Sequence, residues 1–268
     1  MKDRVEQFEI SMDNLDYRKK RIQVFLPLDY NVSDLKRYPV LYMHDGQNLI
    51  EPSTYSGYSW DVIRTMDDLQ SKGIIDGIII VGIDASSTKR IQEYSHYICK
   101  KMTKILLKNF PLTECNPEGK KYSDFIVTEL KPYIDATYKT DPLQTGTAGS
   151  SCGGNVSLYM GLYYPNVFSV IGAFSPAYWI VKKDLFSKLK ETKFPSNFKV
   201  YHDMGVKESV FGHLNIMLNT KKINQTFIDK GIDKSHLKMV IDPKATHTEL
   251  FWKDRFPAFI EWAYKKGM

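Results

Sequence analysis

Short apolar runs rich in β-branched residues alternate with helix-like segments along most of this 268-residue chain. Several runs are apolar almost throughout, which is typical of strands buried on both faces. In the segments between them apolar residues recur at steps of three and four, as in amphipathic helices. Strand followed by helix, repeated, predicts an α/β fold with a mostly parallel central sheet and helices on both faces. The strand-like runs are RIQVFLPL, YPVLYMH, GIIIVGI, TGTAG, VFSVIGAFS, FKVYHDMG and LKMVIDP, and the helix-like segments are YSDFIVTELKPYIDATY, GGNVSLYMGLYYP, SVFGHLNIMLNTKKINQTFIDKG and RFPAFIEWAYKK.

A single domain is expected to span residues 1–268. No internal repeat, low-complexity tract or Pro/Gly/Ser-rich linker divides the sequence, and 43% of its residues are hydrophobic, which is enough for one large core. Residues 86–121 are polar and basic and contain no clear strand. Because long loops in compact domains are often functional, we expect this excursion over the sheet edge to form part of a substrate site.

Composition excludes several classes of function. The net charge of +6 arises from 37 Lys and Arg scattered among 31 Asp and Glu, so nucleic-acid binding is not expected, while an anionic small molecule is compatible. Cys99, Cys115 and Cys152 are too few and too irregular for a disulfide framework or a zinc site, which favours a reducing compartment. The charged N-terminal stretch lacks the apolar run of a secretion signal, and no run approaches membrane-spanning length. We therefore expect a cytoplasmic protein with no membrane partner; the oligomeric state stays open.

The stretch GTAGSSCGGN places three nucleophilic side chains, Ser150, Ser151 and Cys152, in a glycine-rich turn between a predicted strand and a predicted helix. The motif G-x-S-x-G fits in one frame only, from Gly149 to Gly153, with Ser151 at its centre. Such a turn raises its central side chain above the carboxyl end of the strand. A phosphate-binding loop is excluded because no Gly-Lys-Ser/Thr follows. Ser151 is the predicted nucleophile, and a purely structural turn is the alternative.

A serine hydroxyl needs a histidine to accept its proton, and in this architecture the acid and then the histidine follow the serine along the chain. Of the four histidines after Ser151, His247 lies on a predicted loop between the last strand and the last helix. That loop lies at the carboxyl edge of the sheet, towards which the serine turn also points. The other three, His202, His213 and His236, lie in strand-like, helical or polar surroundings. His247 is the predicted base.

Two carboxylates are candidates for the triad acid. Asp203 lies in or at the end of the strand FKVYHDMG, and Glu208 lies past it on the loop. A tetrahedral intermediate also needs two amides directed at its oxyanion. Cys152, directly after the nucleophile, offers one, and Gln47, in the turn Asp45-Gly46-Gln47 after the strand YPVLYMH, offers the other.

In these segments the chain resembles the esterase D and enterochelin-esterase-like branch of the α/β-hydrolases. The matching segments cover nearly the whole chain in order, and their combination is highly specific. They are YPVLYMHDGQNLI, GYSWDV, RIQEY, YSDFIVTELKPYIDATY, GSSCGGNVSLYMGLYYPNVFSVIGAFSPAYW, DMGVKES and HTELFWKDRFPAFIEW.

The resemblance implies an α/β-hydrolase fold with Ser151 as nucleophile, His247 as base and the amides of Gln47 and Cys152 as the oxyanion hole. It favours Glu208 over Asp203, because the acid of this family usually lies three residues after the glycine that ends the strand. The family more often carries Met or Leu at the position of Cys152; since that residue contributes its amide, we expect the change to be tolerated. Some relatives work with a Ser-His dyad alone.

These residues predict a serine carboxylesterase that works through an acyl-enzyme and needs neither a metal nor an organic cofactor. A small-molecule ester is the expected partner, and the family resemblance implies either a short acyl ester or a siderophore trilactone. Acyl transfer or thioester hydrolysis at the same site is an alternative, and a catalytically inactive binding protein on this fold is the rival from another class. Arg90, Trp60 and Trp179 are candidates to bind an anionic or aromatic acyl group, with packing as the alternative for both tryptophans.

Overall fold

A computed structural model describes residues 4–97, 116–208 and 213–267, together with residues 104 and 108. In this part of the chain eight strands form one sheet in the order β1-β2-β4-β3-β5-β6-β7-β8. β1 pairs with β2, and β2 with β4, in antiparallel fashion, and every pairing from β4 to β8 is parallel. The strands are β1 (Val5–Met12), β2 (Arg18–Phe25), β3 (Tyr38–His44), β4 (Ile79–Ile83), β5 (Thr140–Ser150), β6 (Val170–Phe174), β7 (Lys199–Gly205) and β8 (Leu237–Asp242).

Helices cover both faces of the sheet, as the alternating patterns predicted. In β3, Val40 and Tyr42 pack in one apolar cluster and Leu41 and Met43 in another, so successive side chains are buried on opposite faces. Helices α3 to α7 pack on the first face, and α1 and α8 pack on the second. The helices are α1 (Val62–Ser71), α2 (Arg90–Glu93), α3 (Gly119–Phe125), α4 (Lys131–Thr137), α5 (Cys152–Tyr163), α6 (Tyr178–Glu191), α7 (His213–Asp229) and α8 (Glu249–Tyr264), with a π-helical turn at Ile126–Leu130 and 3₁₀ turns at Asp13–Leu15, Gly46–Asn48 and Lys234–His236.

The seven strand-like runs correspond to β2 through β8, and β1 was missed. β1 is one of the two edge strands, and most of its side chains are only partly buried or exposed, so its sequence VEQFEISM contains no apolar run. Helices α1 and α6 were also absent from the predicted set. Within the predicted excursion the structure contains α2 and the first residues of α3. Its residues 98–115, which include Cys99 and Cys115, lie outside the described residues apart from positions 104 and 108.

The parallel strands bring their carboxyl ends to one edge of the sheet, and the segments that follow them carry the candidate site. No helix in the described ranges is long and apolar enough to cross a membrane. The residues that directly follow β3, β5, β6, β7 and β8 at this edge include Gln47, Ser151, Ser175, Glu208 and His247.

Candidate active site

Ser151 lies between β5 and α5 in a backbone conformation that residues other than glycine rarely adopt, with φ of 57° and ψ of −120°. Hydrogen bonds on both sides hold it there. Its amide donates to the carbonyl of Phe174 at 2.9 Å, and its carbonyl accepts from the amide of Ala177 at 3.1 Å. A Cβ on Gly149 would lie 2.9 Å from the carbonyl carbon of Gly153, so the strand and helix approach too closely for a side chain there. This is the geometry of a nucleophile turn.

The two neighbours of Ser151 have different environments. Ser150 is the last residue of β5, is buried, and contributes to the wall of the adjacent cleft. Burial raises the pKa of the Cys152 thiol, even though the nearby charge of Arg90 acts in the opposite direction. A neutral thiol is a poor nucleophile, so this position suits the backbone role predicted for Cys152.

Glu208 and His247 form a direct pair. Oε2 of Glu208 lies 3.0 Å from Nδ1 of His247, and the histidine side chain keeps 26% of its surface exposed. Burial alone would raise the pKa of Glu208, but hydrogen bonds from His247, Ser175 and the Gly205 amide outweigh it and lower this pKa. An ionised Glu208 can only accept, so Nδ1 of His247 donates and its Nε2 is left as the acceptor.

Ser151 is not hydrogen-bonded to His247 among the described residues. The imidazole is held by Glu208 and by the edge of Trp252, with ring centroids 5.1 Å apart and ring planes at 88°. In enzymes without bound substrate, catalytic hydrogen bonds are often long or misaligned. The structure thus joins the acid and the histidine and leaves the serine contact open.

Asp203 occupies a different place from Glu208. It is fully buried within β7, and its carboxylate pairs with Arg255 of α8, with Nε to Oδ2 at 2.7 Å and Nη2 to Oδ1 at 3.1 Å. Tyr201 also donates its hydroxyl to Oδ2 at 2.8 Å. Both oxygens of Asp203 are therefore occupied inside the core, and the carboxylate that reaches His247 is that of Glu208.

The turn after β3 carries the predicted oxyanion amide of Gln47. Its left-handed residue is Asp45, with φ of 58°, and not Gly46. Gly46 is required for a different reason, because a Cβ there would lie 2.7 Å from the backbone of Gly82 in β4. Gln47 and Cys152 each stand in the first turn of a helix, where amides have no acceptor within the helix. Two amides are thus available at this edge of the sheet.

Arg90 was a candidate to bind an anionic acyl group, and the structure pairs it with Asp45. Nε and Nη2 of Arg90 donate to the two oxygens of Asp45 at 2.6 and 2.8 Å, and the guanidinium stacks over the ring of Tyr94. Tyr94 in turn accepts a hydrogen bond from the Asp45 amide at 3.0 Å. Arg90 still lines the cleft, but its charge is matched by a carboxylate and its contacts hold the turn that carries Gln47.

The structure separates the two candidate tryptophans. Trp60 has only 1% of its surface exposed and stacks on Trp252 with edge contacts to Phe174 and Phe256, so it packs in the core and does not line the cleft. Trp179, at the start of α6, does line the cleft. The sequence pattern could not distinguish them, because an aromatic residue near a strand end suits both a core and a cleft.

A cleft of about 670 Å³ lies over this edge of the sheet. This volume is within the range of small-molecule sites. Its wall combines the Glu208–His247 pair with residues 51–55, the segment after the Gln47 turn, which carries one carboxylate, Glu51, beside apolar and hydroxyl side chains. Arg21, Ser150, Ser175, Trp179 and Trp252 also line it. Within the described ranges no group of three or more His, Cys, Asp or Glu residues is arranged to hold a metal ion.

Sequence reasoning missed Ser175, which donates a hydrogen bond to Glu208, and Trp252 and Arg255, which donate hydrogen bonds to Ser175. The available signal was position, since Ser175 is the residue directly after β6 at the carboxyl edge. Trp252 and Arg255 lie on α8, whose apolar periodicity indicates a buried helix face but not the polar contacts that these two side chains make. The contacts of Trp252 with Ser175 and His247, and of Arg255 with Ser175 and Asp203, required the tertiary structure.

Comparisons with known proteins agree with this architecture. A model of the family described as "Esterase: Putative esterase" matches residues 16–262. The protein YbbA of Bacillus subtilis (strain 168), described as uncharacterized, is 23% identical over 255 residues, which are 92% of this chain and 94% of YbbA.

Two solved structures share the fold along almost the entire chain. The enterobactin esterase FES from Shigella flexneri, crystallised in the presence of enterobactin, is 18% identical with a TM-score of 0.74, covering 97% of this chain and 58% of its own. The siderophore hydrolase EstA from Aspergillus nidulans is 15% identical with a TM-score of 0.74, covering 96% of this chain and 94% of its own. At these identities the similarity establishes the fold. Since the family match spans most of the sequence, this chain belongs to the Esterase family and is a carboxylic ester hydrolase.

Proposed function

We propose that this protein is a serine esterase with Ser151 as nucleophile, His247 as general base and Glu208 as the acid that orients the histidine. The observation that carries the proposal is the contact between Oε2 of Glu208 and Nδ1 of His247. It presents an unprotonated Nε2 at the edge of the sheet from which the strained Ser151 turn projects. A serine nucleophile needs a base to take its proton, and Nε2 of His247 is an acceptor for the proton of the Ser151 hydroxyl.

In the proposed reaction Nε2 of His247 takes the proton of the Ser151 hydroxyl as Oγ attacks the ester carbonyl carbon. The carbonyl oxygen becomes an oxyanion that accepts hydrogen bonds from the amides of Gln47 and Cys152. His247 then donates its proton to the departing alcohol, which leaves an acyl group on Ser151. Water, deprotonated by His247, attacks this acyl-enzyme and releases the acid. The dipole of α5, which begins at Cys152, adds to the stabilisation of the oxyanion.

The substrate we propose is an uncharged ester with a small or aromatic acyl group. Two cations in the described ranges line the cleft, and each pairs with a carboxylate: Arg21 with Asp84 at 2.6 Å and Arg90 with Asp45. Trp179 offers an aromatic surface in the same wall. The solved structures named as an enterobactin esterase and a siderophore hydrolase make a siderophore trilactone the second candidate.

Steady-state hydrolysis tests the nucleophile and the substrate together. The panel consists of p-nitrophenyl acetate and butyrate, methyl ferulate and a ferric catecholate trilactone, assayed with wild type, Ser151→Ala and the adjacent control Ser150→Ala. We expect hydrolysis of the small and aromatic esters, a loss of at least about 10⁴-fold in Ser151→Ala, and less than about tenfold in Ser150→Ala. Equal losses in the two variants, or a wild type inactive on every ester, would remove the proposal. A preference for the trilactone would replace the substrate and keep the mechanism.

A further inference from the structure

Ser175 follows β6 directly and has only 2% of its surface exposed. Its φ of 42° lies in the region that residues other than glycine rarely adopt. Strain of this kind persists where surrounding contacts hold the residue in place, and such residues cluster at functional sites. Ser175 stands at the carboxyl edge of the sheet, in the wall of the cleft.

The Ser175 hydroxyl has three polar contacts, and together they determine where its hydrogen points. Oγ lies 2.9 Å from Nε1 of Trp252, 3.0 Å from Nη2 of Arg255 and 2.5 Å from Oε1 of Glu208. An indole N–H and a guanidinium N–H can only donate, so both lone pairs of Oγ are occupied. The single hydroxyl hydrogen is therefore directed to Glu208.

The Ser175 hydroxyl that donates to Glu208 accepts a hydrogen bond from the cationic side chain of Arg255. Arg255 is buried, pairs with Asp203 and lies 3.6 Å from a carboxylate oxygen of Asp242. The Ser175 amide also donates to Oδ1 of Asp203, at 2.8 Å. A hydroxyl that accepts from a cation is a stronger donor, because hydrogen bonds in a chain polarise one another. Asp203 and Arg255 thus fix Ser175 from both its backbone and its side chain.

Ser175 also reaches His247 by a second route. Trp252 donates its indole N–H to Ser175 and sets its ring edge-on against the imidazole of His247. One hydroxyl therefore contacts both neighbours of the histidine: the carboxylate that accepts from Nδ1 and the indole ring that packs perpendicular to the imidazole.

We propose that Ser175 is a positioning residue, which orients the Glu208 carboxylate and the Trp252 ring so that His247 is held in its catalytic tautomer and angle. The inference rests on the proposed function, since it assigns Ser175 a role in that reaction. Ser175 takes no proton from substrate. It acts through Glu208 and Trp252.

Loss of the hydroxyl is expected to move the pH profile as well as the rate. The charged and titratable groups around Glu208 are His247 in front and Arg255, with its partners Asp203 and Asp242, behind. Without the donor from Ser175, Glu208 loses a contact that favours its charged form and binds a proton at higher pH. The acid limb of kcat/KM therefore moves to higher pH.

The test compares Ser175→Gly, Ser175→Ala and the control Ser123→Ala, which removes another buried hydroxyl with two polar contacts, away from the cleft. Glycine tolerates the backbone conformation at position 175, so this variant keeps the turn even where alanine strains it. With the best small ester of the panel, both Ser175 variants should lose about 10- to 100-fold in kcat, the factor that one charge-assisted hydrogen bond carries, with KM unchanged. Their acid limb should move to higher pH, whereas Ser123→Ala should match wild type in kcat, KM and pH profile.

A folded Ser175→Gly with the kcat and acid limb of wild type would overturn the inference, and so would a change confined to KM. Thermal melting checks that the variant is folded. The proposed function is tested separately by wild type and Ser151→Ala. Activity that depends on Ser151 but not on Ser175 overturns this inference alone, and a wild type without esterase activity overturns both.

Discussion

Oε2 of Glu208 lies 3.0 Å from Nδ1 of His247. This contact separates two carboxylates that the sequence could not rank from its own residues, since Asp203 and Glu208 stand five positions apart at the end of one strand. Asp203 is buried with Arg255, and Glu208 is the carboxylate that can orient a histidine at the cleft.

Replacement of Glu208 by Gln should lower kcat roughly 10²- to 10⁴-fold, because a neutral amide no longer stabilises the Nδ1–H tautomer and the imidazolium. Steady-state kinetics on a small ester measures this loss, with circular dichroism to confirm folding. Asp203→Asn is the matched comparison. It should lower the free energy of unfolding by about 3–5 kcal/mol, since it leaves Arg255 buried without its main partner. A larger loss of kcat in folded Asp203→Asn than in Glu208→Gln would reverse the two assignments.

Arg90 was predicted to bind substrate, and its contacts favour a role in positioning the Gln47 turn. Arg90→Met should therefore lower kcat about 10- to 100-fold with little change in KM for an uncharged ester, because the oxyanion amide loses its support. The control Arg4→Met removes a comparable ion pair, with Asp67, outside the cleft, and should leave both constants unchanged. A rise in KM for anionic esters at constant kcat would restore the original interpretation.

Sequence patterns were most informative where a strand is buried on both faces. Strands β2 to β8 were predicted because each contains an apolar run, which in β3, β4 and β6 reflects burial on both faces. The G-x-S-x-G frame predicted the turn at Ser151 because only small residues fit there. Edge strand β1 and the reason for Gly46 could not be predicted. β1 lacks an apolar run because its side chains are partly exposed, and Gly46 is required because the turn after β3 lies close to the backbone of β4.

Replacement of Trp60 should mainly lower the stability of the fold, whereas replacement of Trp179 should mainly change KM. Trp60→Ala should lower the free energy of unfolding by about 3–5 kcal/mol, as expected for a large aromatic removed from a core. Trp179→Ala should cost less than about 1 kcal/mol and should raise KM for aromatic esters more than for acetyl esters. Denaturant unfolding and steady-state kinetics measure the two effects. Equal losses of stability in the two variants would show that Trp179 is also a core residue.

Acid should destabilise the fold well before its carboxylates titrate. Burial lowers the pKa of His44 to about 3 and that of His202 to about 4. In the unfolded chain both would bind protons near pH 6.5, so their stabilising contribution is full above that pH and is lost as the pH falls towards these values. Each histidine should remove up to about 1.4 kcal/mol per pH unit within this window.

Urea unfolding at pH 7.5, 6 and 5 measures the slope, and His202→Gln, whose amide can keep the contacts with Tyr178 and Asn224, should reduce it. A stability that is constant from pH 7.5 to 5 would contradict the burial of these two rings.

The candidate site was predictable to the extent that it follows chain order. Ser151 and His247 were predicted because each follows a strand at the same edge, whereas chain order left Glu208 and Asp203 as alternatives and the family resemblance favoured Glu208. The network of Ser175, Trp252 and Arg255 was not predictable, because Ser175 follows β6, the other two residues lie on α8, and the three meet only in the tertiary structure. The burial of Trp60 and the ion pair of Arg90 with Asp45 could not be predicted either, because burial and ion pairing depend on partners distant in sequence.

Mapping the site of a fluorophosphonate adduct tests the central claim most directly. The probe reacts with an activated serine, and peptide mass spectrometry distinguishes Ser151 from its neighbours Ser150 and Cys152. We predict stoichiometric labelling of wild type at Ser151, no labelling of Ser151→Ala, and labelling slowed at least about 10²-fold in a folded His247→Ala. An adduct on Ser150 or Cys152, or a wild type that takes up no probe, would contradict the assignment of Ser151 as nucleophile.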